Sequence, residues 1–318
     1  MNFETKLDRG ISVVCPVFNS EASLTELYQR LVFALSVLVV EFEIIFVNDH
    51  SSDKSGKVIA SLAAQDPRVQ GIDLMRNYGQ HNALLCGIRT ARFDTIVTVD
   101  DDLQHPPEEI TKLLERLEEG YDVVYGTPIK EQNGWARALA SKAVRLALQS
   151  VVGYKVARNV SAFRAFRAQL REAFAGYHSS FVSIDVLLTW ATTRFGAVYV
   201  RFDPRFAGSS NYKLSSLLRH ALDMTTGFST KPLQLASLIG FIFTVFGMCV
   251  LLYVIVRYFF QGSIPGFPFL ASIIAIFSGA QLFALGVIGE YLARMHFRLM
   301  DRPAYVVRSV TPKRSQTH

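Results

Sequence analysis

The sequence predicts an α/β protein built on a doubly wound, mostly parallel sheet, followed by helices that lie on a membrane and then cross it. Three observations carry this expectation. Apolar strands alternate with helical stretches up to about residue 130. Three of those strands run straight into polar clusters, PVFNSE, NDHSSD and DDDLQH. Near the C-terminus, two uncharged runs each reach the roughly 20 residues that a bilayer-crossing helix needs.

In order, ISVVCPV (11–17) reads as a buried strand and Ser23–Val39 as a helix. FEIIFVN (42–48) is the second strand, followed by a helix over Lys57–Ala64. VQGIDLM (69–75) is the third, with a helix over Asn82–Ala91. DTIVTVD (94–100) is the fourth, with a helix over Pro107–Glu119, and DVVYGT (122–127) closes the series. In sheets of this kind ligands bind beyond the carboxyl ends of the strands, where the polar clusters fall.

Beyond Tyr125 the pattern changes. Residues 134–152 place Trp135, Leu139, Ala143 and Leu146 on one helical side, with Arg137, Lys142 and Arg145 across from them. Leu214, Leu217, Leu218, Ala221 and Leu222 repeat the spacing of an apolar helical stripe just before the first uncharged run. Basic amphipathic helices beside membrane spans lie in the interface. The expected spans are 233–256 and 266–289, joined by the short loop YFFQGSIPGFP as a hairpin, with Gln281 as a helix–helix contact. Lys213, Arg219 and Lys231 precede the first span and Arg294, Arg298 and Arg302 follow the second, whereas Arg257 alone marks the loop side. The positive-inside rule then puts both termini and the whole N-terminal domain in the cytoplasm, on the inner membrane. The expected layout is a cytoplasmic domain over 1–212, a juxtamembrane helix over 213–230, the hairpin over 231–291 and a cytoplasmic tail over 292–318, its end TPKRSQTH disordered.

The net charge of +6 and pI near 9.2 favour anionic partners. The basic residues concentrate beside the spans, so anionic lipid accounts for them and nucleic acid is not expected. Cys15, Cys86 and Cys249 are odd in number and lack metal-ligand spacing, which reads as free thiols in a reducing compartment. The start MNFETKLDRG has no apolar stretch of the kind a signal peptide requires.

Asp100 and Asp102, two apart at a strand end, are hard oxygen ligands of the kind Mg²⁺ or Mn²⁺ shares with substrate phosphates; an acidic turn is the plainer alternative. In the second cluster Ser52 or Asp53 caps the next helix, which leaves Asp49 to accept from a base edge. Arg76, followed by Asn77, suits a diphosphate, and Arg164 reads either as a phosphate ligand or as half of a structural ion pair.

PVFNSE (16–21), VNDHSSD (47–53), MRNYGQHNALLCGI (75–88) and VDDDLQHPPE (99–108) together resemble the motif series of glycosyltransferase family 2. RFAGSSNYK (205–213) followed by two spans resembles its polyisoprenyl-phosphate subgroup, which includes bactoprenol glucosyltransferases and is related to dolichyl-phosphate mannose synthase. The resemblance implies a GT-A fold, a nucleotide-diphosphate sugar donor, a divalent metal (Mg²⁺ or Mn²⁺), a polyprenyl-phosphate acceptor, and inversion at the anomeric carbon. It implies that Pro16, Phe18, Asn19 and Glu21 border the nucleoside, with Asp49 on the base. Asp100 and Asp102 hold the metal, Asp101 faces the sugar or ribose, and Gln104 lies near the sugar or the metal. Arg205, Ser210, Tyr212 and Lys213 hold the acceptor phosphate. The expected reaction moves glucose from UDP-glucose to undecaprenyl phosphate, and the expected assembly is a homo-oligomer. The alternatives are another sugar (mannose or an aminoarabinose type) and a catalytically silent scaffold. A processive synthase is not expected, because neither Trp135 nor Trp190 completes a Gln-x-x-Arg-Trp motif. The chain departs from the family pattern at Asn48, where Asp is usual, at Ser20 before Glu21, at Asn211 and at Asn159.

Overall fold

The computed structural model describes residues 10–128, 159–179, 181–204, 206, 231–261 and 266–312. The expected amphipathic helices at 134–152 and 214–226 lie outside the described residues, as do Arg205, Ser210, Tyr212 and Lys213. The strands are β1 (Ile11–Val17), β2 (Phe42–Asn48), β3 (Val69–Leu74), β4 (Thr95–Thr98), β5 (Val123–Pro128), β6 (Arg164–Arg167), β7 (Phe195–Val200) and β8 (Val307–Thr311). The helices are α1 (Leu24–Leu38), α2 (Ser55–Gln65), α3 (Gln80–Thr90), α4 (Ile110–Glu118), α5 (Ile184–Ala191), α6 (Lys231–Gln261) and α7 (Phe267–Leu299). The eight strands form one sheet in the order β7-β5-β6-β4-β1-β2-β3-β8.

β1 pairs in parallel with both β2 and β4, so the winding reverses there and a crevice opens at the strand ends. Every residue of β1 and β2 is buried, which is why their sequences read as apolar runs rather than alternations. Helices cover both faces. Leu24, Leu27, Leu31 and Leu35 of α1 and Ile110, Leu113, Leu114 and Leu117 of α4 pack on one face with Val13, Ile44 and Phe46. Residues of α3 and α5 pack on the other with Val14, Ile45 and Ile96. α3 lies close on β1 because Gly87 has no side chain; a Cβ there would fall 2.3 Å from a Val14 methyl.

Two strands in the second half are antiparallel. β6 inserts between β4 and β5, and β8 closes the opposite edge against β3. β8 falls within residues 292–318, the expected tail. α7 continues to Leu299, and after it Ala304 and Tyr305 join the core before residues 307–311 return to the sheet. That strand covers the β3 edge, whose backbone groups would otherwise lack partners.

α6 and α7 pack on each other, with Phe243 edge-on to Phe277 at 5.9 Å between ring centres. Among the described residues one stretch, Leu233–Arg257 in α6, is long and apolar enough to cross a membrane, with mean hydropathy 2.7. It exposes large apolar side chains such as Phe241 and Phe246.

Candidate active site

The loops after β1, β2, β3 and β4 converge at one end of the sheet, stitched by side chains. Asn19 Oδ1 accepts from the Ser52 amide (2.8 Å) and hydroxyl (3.1 Å), and its own amide donates to Ser51 Oγ (3.0 Å). Glu21 accepts from the Lys54 amide at 2.7 Å, while the Glu21 amide donates to Asp53 at 3.0 Å. Asp53 also accepts from the Ser55 amide at 2.9 Å and so supports the start of α2, although the cap position falls on Lys54 rather than on Ser52 or Asp53. Burial pushes its carboxyl up, but these hydrogen bonds outweigh it and hold the group below its ordinary pKa. Asn19, His50 and Leu103 all have positive φ, at 55°, 58° and 60°, one in each loop after β1, β2 and β4. Such backbone suits Asn; for a bulky leucine it is a strained position of the sort that clusters at functional loops.

Asp49 is buried and grips the loop after β3. Its two carboxylate oxygens accept from the Tyr78 and Gly79 amides, each at 2.7 Å. Burial raises its pKa against the pull of those amides. The carboxylate expected on a base edge thus also shapes the turn that carries Arg76 and Asn77, both exposed. The Arg76 guanidinium lies 4.6 Å from the centre of the Tyr78 ring. The Asn48 departure has a local reason. Its amide donates to Asp73 Oδ1 at 2.7 Å, where an aspartate would set two carboxylates against each other. β8 supports the same turn, since the Met75 amide donates to the Val306 carbonyl (2.9 Å) and Arg308 donates to the Met75 carbonyl (3.0 Å).

The three aspartates divide. Asp101 turns to the β1 loop, accepting from the Phe18 amide (3.0 Å) and the Ser20 hydroxyl (2.6 Å), while Ser23 donates to its carbonyl. Burial pushes its carboxyl above the ordinary range. Asp101 is thus engaged by the Phe18 amide and the Ser20 hydroxyl of the β1 loop. Asp100 accepts from the Gln80 side chain at 2.7 Å, and Asp102 accepts from the Gln104 amide at 3.1 Å. Among the described residues no cluster of three or more His, Cys, Asp or Glu side chains offers a complete metal cage. Two carboxylates and a nearby amide side chain are instead a hard-oxygen set that fits Mg²⁺ or Mn²⁺ sharing its remaining positions with phosphate. The triplet's field also reaches Cys15, whose thiol burial and then Asp101, Asp100 and Asp102 all push up.

Phe18, half exposed, and Pro16, buried, stand at the end of β1 as the first motif requires. Arg164 is absent from this mouth. It is 1% exposed, ion-paired with Asp185, which also accepts from the Tyr125 hydroxyl at 3.0 Å. Sequence reasoning passed over Ser23, Ser51, Ser55, Gln80, Asp73 and Asp185. Ser51 and Gln80 sit inside the quoted motifs and had a signal; Asp185 had none.

An identified relative is the undecaprenyl-phosphate 4-deoxy-4-formamido-L-arabinose transferase of Proteus mirabilis, 35% identical over 94% of this chain and 93% of that protein. The transferase of the same name from an Enterobacter species is 34% identical over 96% and 94%. Among solved structures, the glucosyl-3-phosphoglycerate synthase of Mycobacterium tuberculosis with Mn²⁺, UDP and phosphoglyceric acid superposes with a TM-score of 0.51 at 20% identity, over 69% of this chain and 76% of that one. The same protein has also been solved with Mg²⁺ and UDP, with a TM-score of 0.50 at 20% identity, over 69% and 77%. The sheet with its switch point at β1 is thus the GT-A arrangement. The model of glycosyl transferase family 2 matches residues 12–174, which hold all four stitched loops. By that match, and by relatives that align over nearly the whole length, the chain belongs to glycosyl transferase family 2.

Proposed function

We propose that this protein transfers a sugar from a nucleotide-diphosphate donor to a polyprenyl phosphate at the cytoplasmic face of a membrane. The observation that supports it most is the joining of two parts in one chain. Asp100 and Asp102 stand at the mouth of a GT-A sheet, and an exposed apolar helix of bilayer length follows it. The relatives' names favour a 4-deoxy-4-formamido-L-arabinose donor, and they lend nothing to glucose. In this reading α6 and α7 are both spans, and Arg205, Ser210, Tyr212 and Lys213 meet the acceptor phosphate beside them.

The nucleoside lies against Phe18 and Arg76, over the loops that Asp49, Asn19 and Asp101 hold in place. Asp100 and Asp102, with Gln104, would hold Mg²⁺ or Mn²⁺, the ions found with UDP in solved structures of this fold. When bound, the ion neutralises charge on the departing diphosphate. The acceptor needs little activation, because a phosphate monoester has a second pKa near 6 and is already ionised at neutral pH. Its oxygen forms the new bond to the anomeric carbon as the diphosphate oxygen leaves, so no general base is required and the Asn159 departure is harmless. Arg205 and Lys213 offset the acceptor's charge, and positioning supplies the rest of the rate.

The test is a donor panel. Purified protein with undecaprenyl phosphate and Mn²⁺ is given UDP-linked 4-deoxy-4-formamido-L-arabinose, glucose and mannose in turn, and the lipid phase is read by mass spectrometry. A lipid-phosphate sugar from the first donor supports the full reading, and one from another donor keeps the reaction and corrects the sugar. No lipid product from any donor overturns it in favour of a non-catalytic role.

A further inference from the structure

His105 follows Gln104 in the metal-carrying loop and is buried at 8% exposure. Its ring stacks on Phe163 (5.2 Å between centres, 17° between planes) and meets Phe202 edge-on (5.1 Å, 73°). Neither ring nitrogen has a hydrogen-bond partner among the described residues. Asp102 lies close enough for its charge to act on the ring. An imidazole carries an N–H donor in either charge state, and leaving such a group buried and unpaired works against folding. Phenylalanine would make the same ring contacts without that penalty. The site therefore favours a purely apolar ring for folding, yet the chain carries an imidazole.

The rest of the loop is tied down. The Asp203 amide donates to the Gln104 carbonyl (2.8 Å) and the Phe206 amide to the Asp102 carbonyl (3.2 Å), while Leu103 holds φ at 60°. The loop is thus pinned to the segment that leads to Arg205, with an unsatisfied imidazole inside it. Resting on the function proposed above, we propose that His105 is a positioning residue: once metal and diphosphate draw Asp102 into place, its ring N–H takes that carboxylate as partner and fixes its aim. Carboxylate ligands are commonly held this way, and losing the outer partner weakens metal binding about 10–100-fold.

The test titrates Mn²⁺ against the full chain in the presence of UDP, reading nucleotide binding and, without metal, the thermal midpoint. For His105→Phe the expected results are a metal-free midpoint at or above that of the unaltered protein and a half-saturating Mn²⁺ concentration raised about 10–100-fold. His105→Asn and His105→Gln place a side-chain N–H near the Nδ1 and Nε2 positions, and one of them should recover most of the metal affinity even at a lower midpoint. Unchanged Mn²⁺ dependence in His105→Phe, a lowered midpoint in that variant, or no recovery in either amide variant each overturns the proposal. If the unaltered protein shows no Mn²⁺-dependent UDP binding, the metal–nucleotide reading itself fails and takes this proposal with it.

Discussion

Arg164 and Asp49 show how one residue type answers to its surroundings. Arg164 stands one strand away from the aspartate triplet, yet its guanidinium is buried against Asp185 and Tyr125. Removing one partner of such a pair leaves a lone buried charge, so Arg164→Ala is expected to destabilise by about 3–5 kcal/mol. The donor KM of the protein that remains folded should be unchanged, which separates a structural role from phosphate binding; denaturant melts and initial rates on one preparation check both. Asp49→Ala should act on both quantities, because it frees the Tyr78 and Gly79 amides and loosens the turn bearing Arg76. We expect a stability loss of about 2 kcal/mol and weaker nucleotide binding by calorimetry, with Asp49→Asn milder on each count.

At the scale of elements, the turn from α2 into β3 sets an acid limit on stability. Asp66 is held at about 2, first by hydrogen bonds from the Arg68 guanidinium, with the Arg68 amide and the Tyr28 hydroxyl adding to it. Its folded pKa lies below the unfolded value, so its contribution is present above pH 4 or so and is lost as the pH falls toward 2. Arg68 is partly exposed, which limits the effect to roughly 1 kcal/mol. Asp66→Asn should lower the midpoint at pH 7 and flatten the profile between about pH 4 and 2. The first five strands and their helices were legible because each buries a continuous apolar run or a clean helical stripe. β6, α5, β7 and β8 were not, since RAFR and VRSVT are short, carry arginines and owe their pairing to distant partners. The site was legible where a motif ends a strand. It was not legible where the partner comes from far along the chain, as Asp185 does for Arg164.

For the whole molecule, the return of β8 means that α6 and α7 are an insertion in the sheet's chain path rather than an appendix. α6 and α7 leave after β7, and β8 comes back on the far edge to support the Met75 turn. A chain ending at residue 230 should therefore lose more than α6 and α7. It is expected to melt at least about 5 °C lower than a chain carrying β8 in place and to aggregate through the bared β3 edge. Supplying residues 303–312 on a linker in place of 231–302 should recover most of that loss; calorimetric scans and light scattering of the two chains measure it. The arrangement also ties the stitched loops and the two long apolar helices into one chain path, as the proposed transfer to a membrane-bound acceptor requires. The measurement that tests this most directly is the rate of sugar transfer to undecaprenyl phosphate with Mn²⁺, with EDTA, and with Asp102→Ala in matched vesicles. The account predicts lipid-linked product that disappears on chelation and falls at least about 100-fold in the variant, as loss of a charge-stabilising group in a catalytic site does. Transfer at an undiminished rate in EDTA or in Asp102→Ala would contradict it.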